Sequence, residues 1–132
     1  VFGVARTQAN LDETLAQVHA VGGKGSVYSA DLSLPERAEA AVQKCIEEYG
    51  RIDILLNAAG VGYSYKLQSP GSMDPVDTTP VDKWREVMAI NLDSVFYVCR
   101  IALRQMKAQK KGAIVNVASI FGLGGAPDAH TY

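Results

Sequence analysis

The sequence predicts an α/β protein with a doubly wound, Rossmann-like parallel sheet. Short apolar runs alternate with amphipathic helical patterns along the 132 residues, and strands separated by helices are joined by right-handed crossovers and lie parallel. Residues 114–117 are mostly β-branched, as is typical of a strand buried on both faces. We expect a single domain of ordinary size.

Four strands are expected, each followed at once by polar or glycine-containing sequence. They are residues 1–5, 26–30, 52–56 and 113–118. The helix after the first strand should begin at an Asn10 cap with Glu13 at the capping-box position, and Gly22 should end it. The second helix should begin at a Ser33 cap, with a proline in its first turn and an apolar face that runs to residue 49.

The longest helical pattern runs from about residue 80 to residue 106. One apolar stripe contains Trp84, Val87, Met88, Val95, Val98, Cys99, Ala102 and Met106. The stripe is longer than a typical helix, so we expect a break near Asn91. Asn91 is an amide within this stripe, and a buried amide needs partners. It therefore either ties the helix to neighbouring backbone or orders a water near a site.

Composition excludes several classes of function. The net charge is −1, from 13 basic and 14 acidic residues without a run of like charge, which argues against nucleic acid or an anionic membrane as the main partner. No stretch approaches the roughly 20 apolar residues of a membrane span. Cys45 and Cys99 lack metal-ligand spacing, so we predict core thiols, no metal site and a reducing compartment, by default the cytoplasm.

In open parallel sheets, ligands bind beyond the carboxyl ends of the strands, and this rule selects the candidate binding residues. Arg6 follows the first strand and is either a ligand for the 2′-phosphate of a dinucleotide or a solvated surface arginine. Asp31 and Leu32 follow the second strand. The Asp31 carboxylate either contacts an adenine or caps a turn, and the residues alone favour the cap.

Small residues and a serine follow the last two strands. After the third come Asn57, Ala58, Ala59 and Gly60, where the backbone either approaches a ligand closely or makes a tight turn. Ser119 follows the fourth strand without a Gly-x-Ser-x-Gly pattern around it, which argues against a serine hydrolase. His130 is expected at the surface.

In combination, these residues resemble the short-chain dehydrogenase/reductase family over the whole chain. The matching elements are Asp31-Leu32 after a strand, the segment from Asn57 to Gly60, Asn91 on the long helix, and Ser119 followed 13 residues later by Tyr132. The family often has a second asparagine where this chain has Ala58, a common variant.

The resemblance implies an oxidoreductase that transfers a hydride between NADP(H) and a carbonyl or secondary alcohol, with NAD less expected because of Arg6. Tyr132 would act as acid/base, Ser119 would position the substrate oxygen, and Asn91 would hold a water or backbone group in a proton relay. The implied cofactor-binding residues are Arg6, Asp31, Leu32, Asn57, Ala58, Ala59, Gly60 and Tyr132.

The resemblance also implies that residues 1–132 form a partial NAD(P)-binding domain with little activity of its own. The family's glycine-rich loop would precede Val1, and a lysine that lowers the tyrosine pKa from about 10 would lie four residues after Tyr132. The missing first strand would lie between residues 1–5 and 52–56, so its absence would leave unpaired backbone on both sides.

Three further expectations concern alternatives and partners. A non-catalytic dinucleotide-binding or regulatory module is the alternative function, although the presence of Asn91, Ser119 and Tyr132 argues against it. A homo-oligomer formed through the long helix is implied by the resemblance only. The segment 62–79 is long for a loop, and its Tyr63 and Tyr65 either line the mouth of a substrate site or belong to a surface excursion.

Overall fold

A computed structural model describes residues 1–124 and 131–132, and in it parallel strands alternate with helices. The strands are β1 (Phe2–Ala5), β2 (Ser26–Ser29), β3 (Ile54–Asn57) and β4 (Ala113–Asn116). The helices are α1 (Gln8–Ala20), α2 (Pro35–Tyr49), α3 (Val81–Met88) and α4 (Ser94–Gln109), with 3-10 turns at Tyr63–Leu67 and Ile120–Gly122. The predicted α/β class is confirmed.

The strands form two separate parallel pairs, β1 with β2 and β3 with β4. Phe2 aligns with Ser26 in the first pair, and Ile54 aligns with Ala113 in the second. Residues of β1 and β3 line a common cleft of about 910 Å³, and no strand of the described residues lies in it. The cleft is where the doubly wound order expects a further strand, so the architecture is an incomplete Rossmann-like fold.

The main core lies where α2 and α4 pack together over the end of β3. Its buried residues are Ala38, Val42, Ile52, Val98, Ala102 and Met106. All of these except Ile52 lie on the two helices and repeat there at helical spacing, so the predicted apolar faces of α2 and α4 are confirmed over most of their length. Trp84 departs from the predicted inward stripe, because its side chain is 41% exposed on α3.

The start of α1 differs from the prediction. The helix begins at Gln8 with Thr7 as its N-cap residue, and no side chain caps it. Gln8 donates a hydrogen bond from its side chain to Asp12 at 2.7 Å, which supports a first turn upstream of Asn10. The Asn10 cap was therefore a wrong prediction, whereas the predicted stop is confirmed because Gly22 adopts a left-handed φ of 77° just beyond the helix.

Strands β3 and β4 differ from the prediction, β3 in the residue at which it begins and β4 in how far its side chains are buried. The Gln109 side chain bonds both the N–H and the C=O of Ile52, each at 2.9 Å, so β3 begins two residues later than predicted. On the other strand of this pair, Val115 is 50% exposed and Val117, just beyond its end, is 62% exposed. The predicted burial of this strand on both faces is wrong within the described chain, whose helices leave these side chains uncovered.

None of the helices in residues 1–124 and 131–132 is long and apolar enough to cross a membrane.

Candidate active site

A small cavity lies beyond the carboxyl ends of β1 and β2. Its volume is about 220 Å³, and the predicted binding residues that line it are Arg6, Asp31, Leu32, Ala59 and Gly60. This volume is below the roughly 300 Å³ at which pockets for drug-sized ligands begin, so the cavity has room for only part of a dinucleotide. A cation, a carboxylate and a small-residue backbone line one space, as the strand-end rule predicts.

Asp31 closes a turn at the edge of this cavity. Its Oδ1 accepts hydrogen bonds from the Ser33 N–H at 3.0 Å and the Ser33 hydroxyl at 2.6 Å. The turn-capping interpretation of Asp31 therefore describes what the carboxylate does, and Ser33 does not cap α2 as predicted because its hydroxyl is engaged by Asp31. The helix instead begins at Pro35 after Leu34, without a side-chain cap.

Arg6 extends from the end of β1 towards the 3-10 turn that contains Tyr65. Burial and the neighbouring Glu86 carboxylate raise the pKa of the Tyr65 hydroxyl, and the nearby Arg6 guanidinium partly opposes this shift. Arg6 is exposed, so the guanidinium lines the cavity while it remains accessible to an anion from solvent.

Asn57 and Ala58 do not line the small cavity. Both line the cleft between the two strand pairs, with Ala59 shared by the two spaces. The Asn57 amide donates to the Asn116 side-chain oxygen at 2.8 Å and to Cys99 Sγ at 3.2 Å. Asn57 therefore ties β3 to β4 and to α4, and it supports the sheet below the predicted cofactor site.

Asn91 lies in a π-helical turn, Ala89–Asp93, between α3 and α4. This turn confirms the predicted break in the long helix, and such turns are frequent at functional sites. Asn91 Oδ1 accepts from the Val61 N–H at 2.8 Å, and Asn91 Nδ2 donates to the Val61 carbonyl at 2.9 Å. Of the two predicted roles, the described contacts match the one in which Asn91 ties the helix to backbone.

The close approach of Asn91 also explains Gly60. A Cβ at this position would lie 3.2 Å from Asn91 Oδ1, tighter than side chains normally tolerate. Glycine is therefore set here by the contact with the asparagine, besides any approach of a ligand.

Tyr132 lies beside Gly62, two residues after Gly60 in the loop that follows β3. A Cβ on Gly62 would lie 3.4 Å from Tyr132 Cε2, and the Phe121 ring meets the Tyr132 ring edge to face with centroids 6.3 Å apart. Tyr132 remains 46% exposed, which leaves it accessible. The loop residues from Gly60 to Gly62 thus connect the cavity, the Asn91 clamp and the Tyr132 ring within three positions.

Ser119 follows β4 and caps a short turn. Its Oγ accepts a hydrogen bond from the Phe121 N–H at 3.2 Å. Within residues 1–124 and 131–132, no hydrogen bond joins Ser119 to Tyr132. Phe121 connects the two residues instead, because its backbone bonds Ser119 and its ring contacts Tyr132. His130 lies outside the described residues.

A polar network that sequence reasoning missed holds the segment 62–79 against α3. Tyr65 Oη donates to Glu86 Oε1 at 2.5 Å, and Ser69 Oγ donates to Glu86 Oε2 at 2.9 Å. Lys83 Nζ contacts the same carboxylate at 2.9 Å. The hydrogen bond from Tyr65, then that from Lys83, lowers the pKa of Glu86. The i,i+3 spacing of Lys83 and Glu86 was the one signal of this network in the sequence.

The network also fixes the position of Tyr65. Tyr65 is 8% exposed, so it does not belong to a surface excursion, and its place at a substrate mouth stays a prediction. Tyr63 is 45% exposed, and the Lys66 ammonium lies 4.3 Å from the centre of its ring.

The free cysteines and possible metal ligands add no further site. Cys45 and Cys99 are unpaired and half-buried, and burial raises the pKa of the Cys45 thiol. Among the residues that the structure describes, no three histidine, cysteine, aspartate or glutamate side chains are grouped to hold a metal ion.

Comparison with known proteins agrees with this fold and identifies the family. The family described as short chain dehydrogenase matches residues 1–132. The chain belongs to this family. A curated relative, a 3beta-hydroxysteroid dehydrogenase from Mediterraneibacter gnavus, is 32% identical over 132 residues, which are all of this chain and 45% of the relative.

Solved structures of related oxidoreductases share the backbone arrangement. A metagenomic short-chain oxidoreductase in complex with NADP superposes with a TM-score of 0.88 at 28% identity, covering 100% of this chain and 56% of that one. An NAD+-bound xylitol dehydrogenase superposes with a TM-score of 0.84 at 30% identity, covering 98% and 48%. The chain therefore spans about half the length of the family members that it matches.

Proposed function

We propose that the protein carrying this chain transfers a hydride between NADP(H) and a carbonyl or secondary alcohol, with Tyr132 as the proton donor and acceptor. The observation that carries the proposal is the three-residue loop from Gly60 to Gly62. It borders the cavity with Arg6 and Asp31, is clamped by Asn91 at Val61, and contacts the Tyr132 ring. A candidate cofactor cavity and an acid/base candidate thus border the same three residues of backbone.

The cavity fits the adenosine end of a dinucleotide by the chemistry of its lining. Arg6 offers charged donors for a phosphate, and the Asp31 Oδ2 is an acceptor beside the small residues Ala59 and Gly60. Arginine pairs well with phosphate because its planar guanidinium can donate two parallel hydrogen bonds. The bound nicotinamide would supply or accept the hydride.

The chain's own residues would handle the substrate oxygen and its proton. Tyr132 is half exposed beside Gly62, so its hydroxyl can donate a proton to a carbonyl oxygen as hydride arrives at carbon, or accept it in the reverse reaction. Ser119 would donate a hydrogen bond to the same oxygen while its Oγ continues to accept from Phe121. Asn91 would keep the loop in place through both groups of Val61.

Replacement of Tyr132 by phenylalanine tests the function. Tyr132→Phe keeps the ring contacts with Gly62 and Phe121 but removes the exchangeable proton, so kcat should fall by a factor of about 10² to 10⁴. The assay follows nicotinamide absorbance with a panel of cyclic and acyclic ketones, using the full-length gene product.

NADPH titration of Tyr132→Phe serves as the control, because cofactor affinity should change little. Retained turnover would remove Tyr132 from the mechanism. Normal binding without turnover in the unmodified protein would favour the alternative, a non-catalytic dinucleotide-binding or regulatory module, in which Ser119 serves only as a turn cap.

Arg6 should determine the preference for NADPH over NADH. Arg6→Ala should lower kcat/KM for NADPH by about 10- to 100-fold, as expected for loss of a charged hydrogen bond to phosphate, and should leave the value for NADH nearly unchanged. Parallel kinetics with the two cofactors measure this difference. An equal loss for both cofactors, or an initial preference for NADH, would contradict the assignment.

The proposal also includes a homo-oligomeric assembly and a reducing cellular compartment. Leu92, Phe96 and Leu103 expose apolar side chains around the π-helical turn and α4, which supports a homo-oligomer formed through this helix. The two free thiols support a reducing compartment such as the cytoplasm.

A further inference from the structure

Thr131, the residue before the proposed acid/base, is anchored more firmly than the tyrosine itself. Thr131 is 4% exposed, whereas Tyr132 is 46% exposed. The Thr131 hydroxyl donates to the Ser72 carbonyl at 2.7 Å, and its oxygen lies 3.4 Å from Met73 Sδ. A buried hydroxyl needs such a partner, and this partner lies 59 residues away in the chain.

The segment that receives this hydrogen bond is itself fixed at several points. Ser72 is 0% exposed and Met73 is 2% exposed, and Met73 packs in a small core with Tyr65 and Val87. The Tyr65 hydroxyl and the Ser69 hydroxyl both bond the Glu86 carboxylate on α3. The Ser72 carbonyl is therefore held by packing and hydrogen bonds that do not involve Thr131.

The same segment also contacts the Tyr132 ring. Gly62, at its start, lies against one part of the ring, and Phe121 meets the ring edge to face. The segment thus lies against two successive residues, Thr131 at its hydroxyl through Ser72 and Tyr132 at its ring through Gly62. The Ser72 contact holds the backbone just before the tyrosine, and the Gly62 contact limits where the ring can lie.

From these contacts, we infer that Thr131 is a positioning residue for the reaction, and that the segment 62–79 acts as a rigid cradle for the acid/base. The inference rests on the proposed role of Tyr132. Because a displacement of about 1 Å at a reacting group can lower a rate by roughly 10², a tyrosine held only by its exposed ring would lose much of its effect.

The decisive variant is Thr131→Val in the full-length gene product. Valine keeps the volume and branching of threonine but has no hydroxyl to donate to the Ser72 carbonyl. We expect kcat to fall about tenfold or more, with KM for the ketone and Kd for the dinucleotide each within about twofold of the unmodified protein. The pH profile of kcat should shift as well, because the displaced tyrosine hydroxyl meets a different environment.

Two companion variants separate positioning from a general effect on folding. Thr131→Ser retains the hydroxyl and should recover most of kcat. Thr14→Val is the matched control, because Thr14 lies on α1 away from this segment, is exposed, and donates to the Asn10 carbonyl at 2.8 Å. It should leave both kcat and KM unchanged.

The inference fails if Thr131→Val has an unchanged kcat, if Thr131→Ser loses as much as Thr131→Val, or if Thr14→Val causes a similar loss. If Thr131→Val does not fold at the assay temperature, Gly62→Val provides the test from the other contact. Its Cβ would already be in van der Waals contact with the Tyr132 ring at 3.4 Å, so the two γ-carbons beyond it would crowd the ring. An unchanged kcat in Gly62→Val would then overturn the cradle. Failure of the proposed function is distinct, because Tyr132→Phe would remain active.

Discussion

The segment 62–79 and the strand pair β3–β4 differ in how deeply their side chains are buried, and the less regular of the two regions is the more deeply buried. The segment has little regular structure, yet Tyr65, Ser69 and Met73 within it are at most 8% exposed. The strands have full parallel pairing, yet Ile54 is 71% exposed and Leu56 is 60% exposed. In this molecule, burial follows the surfaces that are covered and does not follow regularity of the backbone.

The physical reason lies in how each region satisfies its polar groups. Turns within the segment pair several of its backbone groups, and Thr131 supplies a partner for the Ser72 carbonyl. Glu86 on α3 accepts from the hydroxyls of Tyr65 and Ser69, so the segment can be buried without unpaired polar groups there. The strands satisfy one edge by pairing with each other, while the other edge of β3 faces the cleft towards β1. Regular pairing secures the geometry of β3, but burial of its side chains requires further covering layers.

The largest expected effect is on the free energy of unfolding, and it comes from a buried residue of the segment 62–79. Met73→Ala should lower the free energy of unfolding by about 2–5 kcal/mol, because a side chain that is 2% exposed would leave a cavity beside Tyr65 and Val87. Urea denaturation followed by fluorescence of Trp84 measures the loss.

Ile54→Ala is the matched variant on the strand. Because Ile54 is 71% exposed, the transfer free energy lost should be below about 1 kcal/mol. Equal losses in the free energy of unfolding for Met73→Ala and Ile54→Ala would contradict the difference in burial between the two regions. A larger cost at Ile54 would show that this strand face is covered in the folded protein.

A smaller effect is expected at the carboxylate that binds the segment. Glu86→Gln removes the charge that pairs with Lys83 but keeps an acceptor for Tyr65, so stability near neutral pH should fall by about 1 kcal/mol. Urea midpoints at a series of pH values give both the loss and its pH dependence.

The sign of this pH dependence follows from the lowered pKa of Glu86 in the folded protein. Its stabilisation is present above the unfolded pKa of about 4.3 and is lost as pH falls through the folded pKa. Glu86→Gln should therefore flatten stability below about pH 5, whereas Glu39→Gln, at an exposed position on α2, should retain the acid dependence of the unmodified protein. An identical acid dependence in Glu86→Gln would exclude a stabilising role for the charge.

Several features of the site could be predicted because they depend on local pattern. The apolar stripe was too long for a single helix, which located the break at Asn91, and the strand-end rule brought Arg6, Asp31 and Gly60 to one cavity. The caps at Asn10 and Ser33 could not be predicted in this way. Each depended on competition between neighbouring polar side chains that have similar hydrogen-bonding energies.

The sequence by itself determined the α/β class, the order of the elements and the family, because hydrophobic periodicity and motif spacing are properties of neighbouring residues. Only the tertiary structure decided which backbone Asn91 clamps, that Tyr65 points inward to Glu86, and that Thr131 is tied to Ser72. These contacts join residues 21 to 59 positions apart. Their partners are selected by packing of the whole chain, and no local pattern encodes that choice.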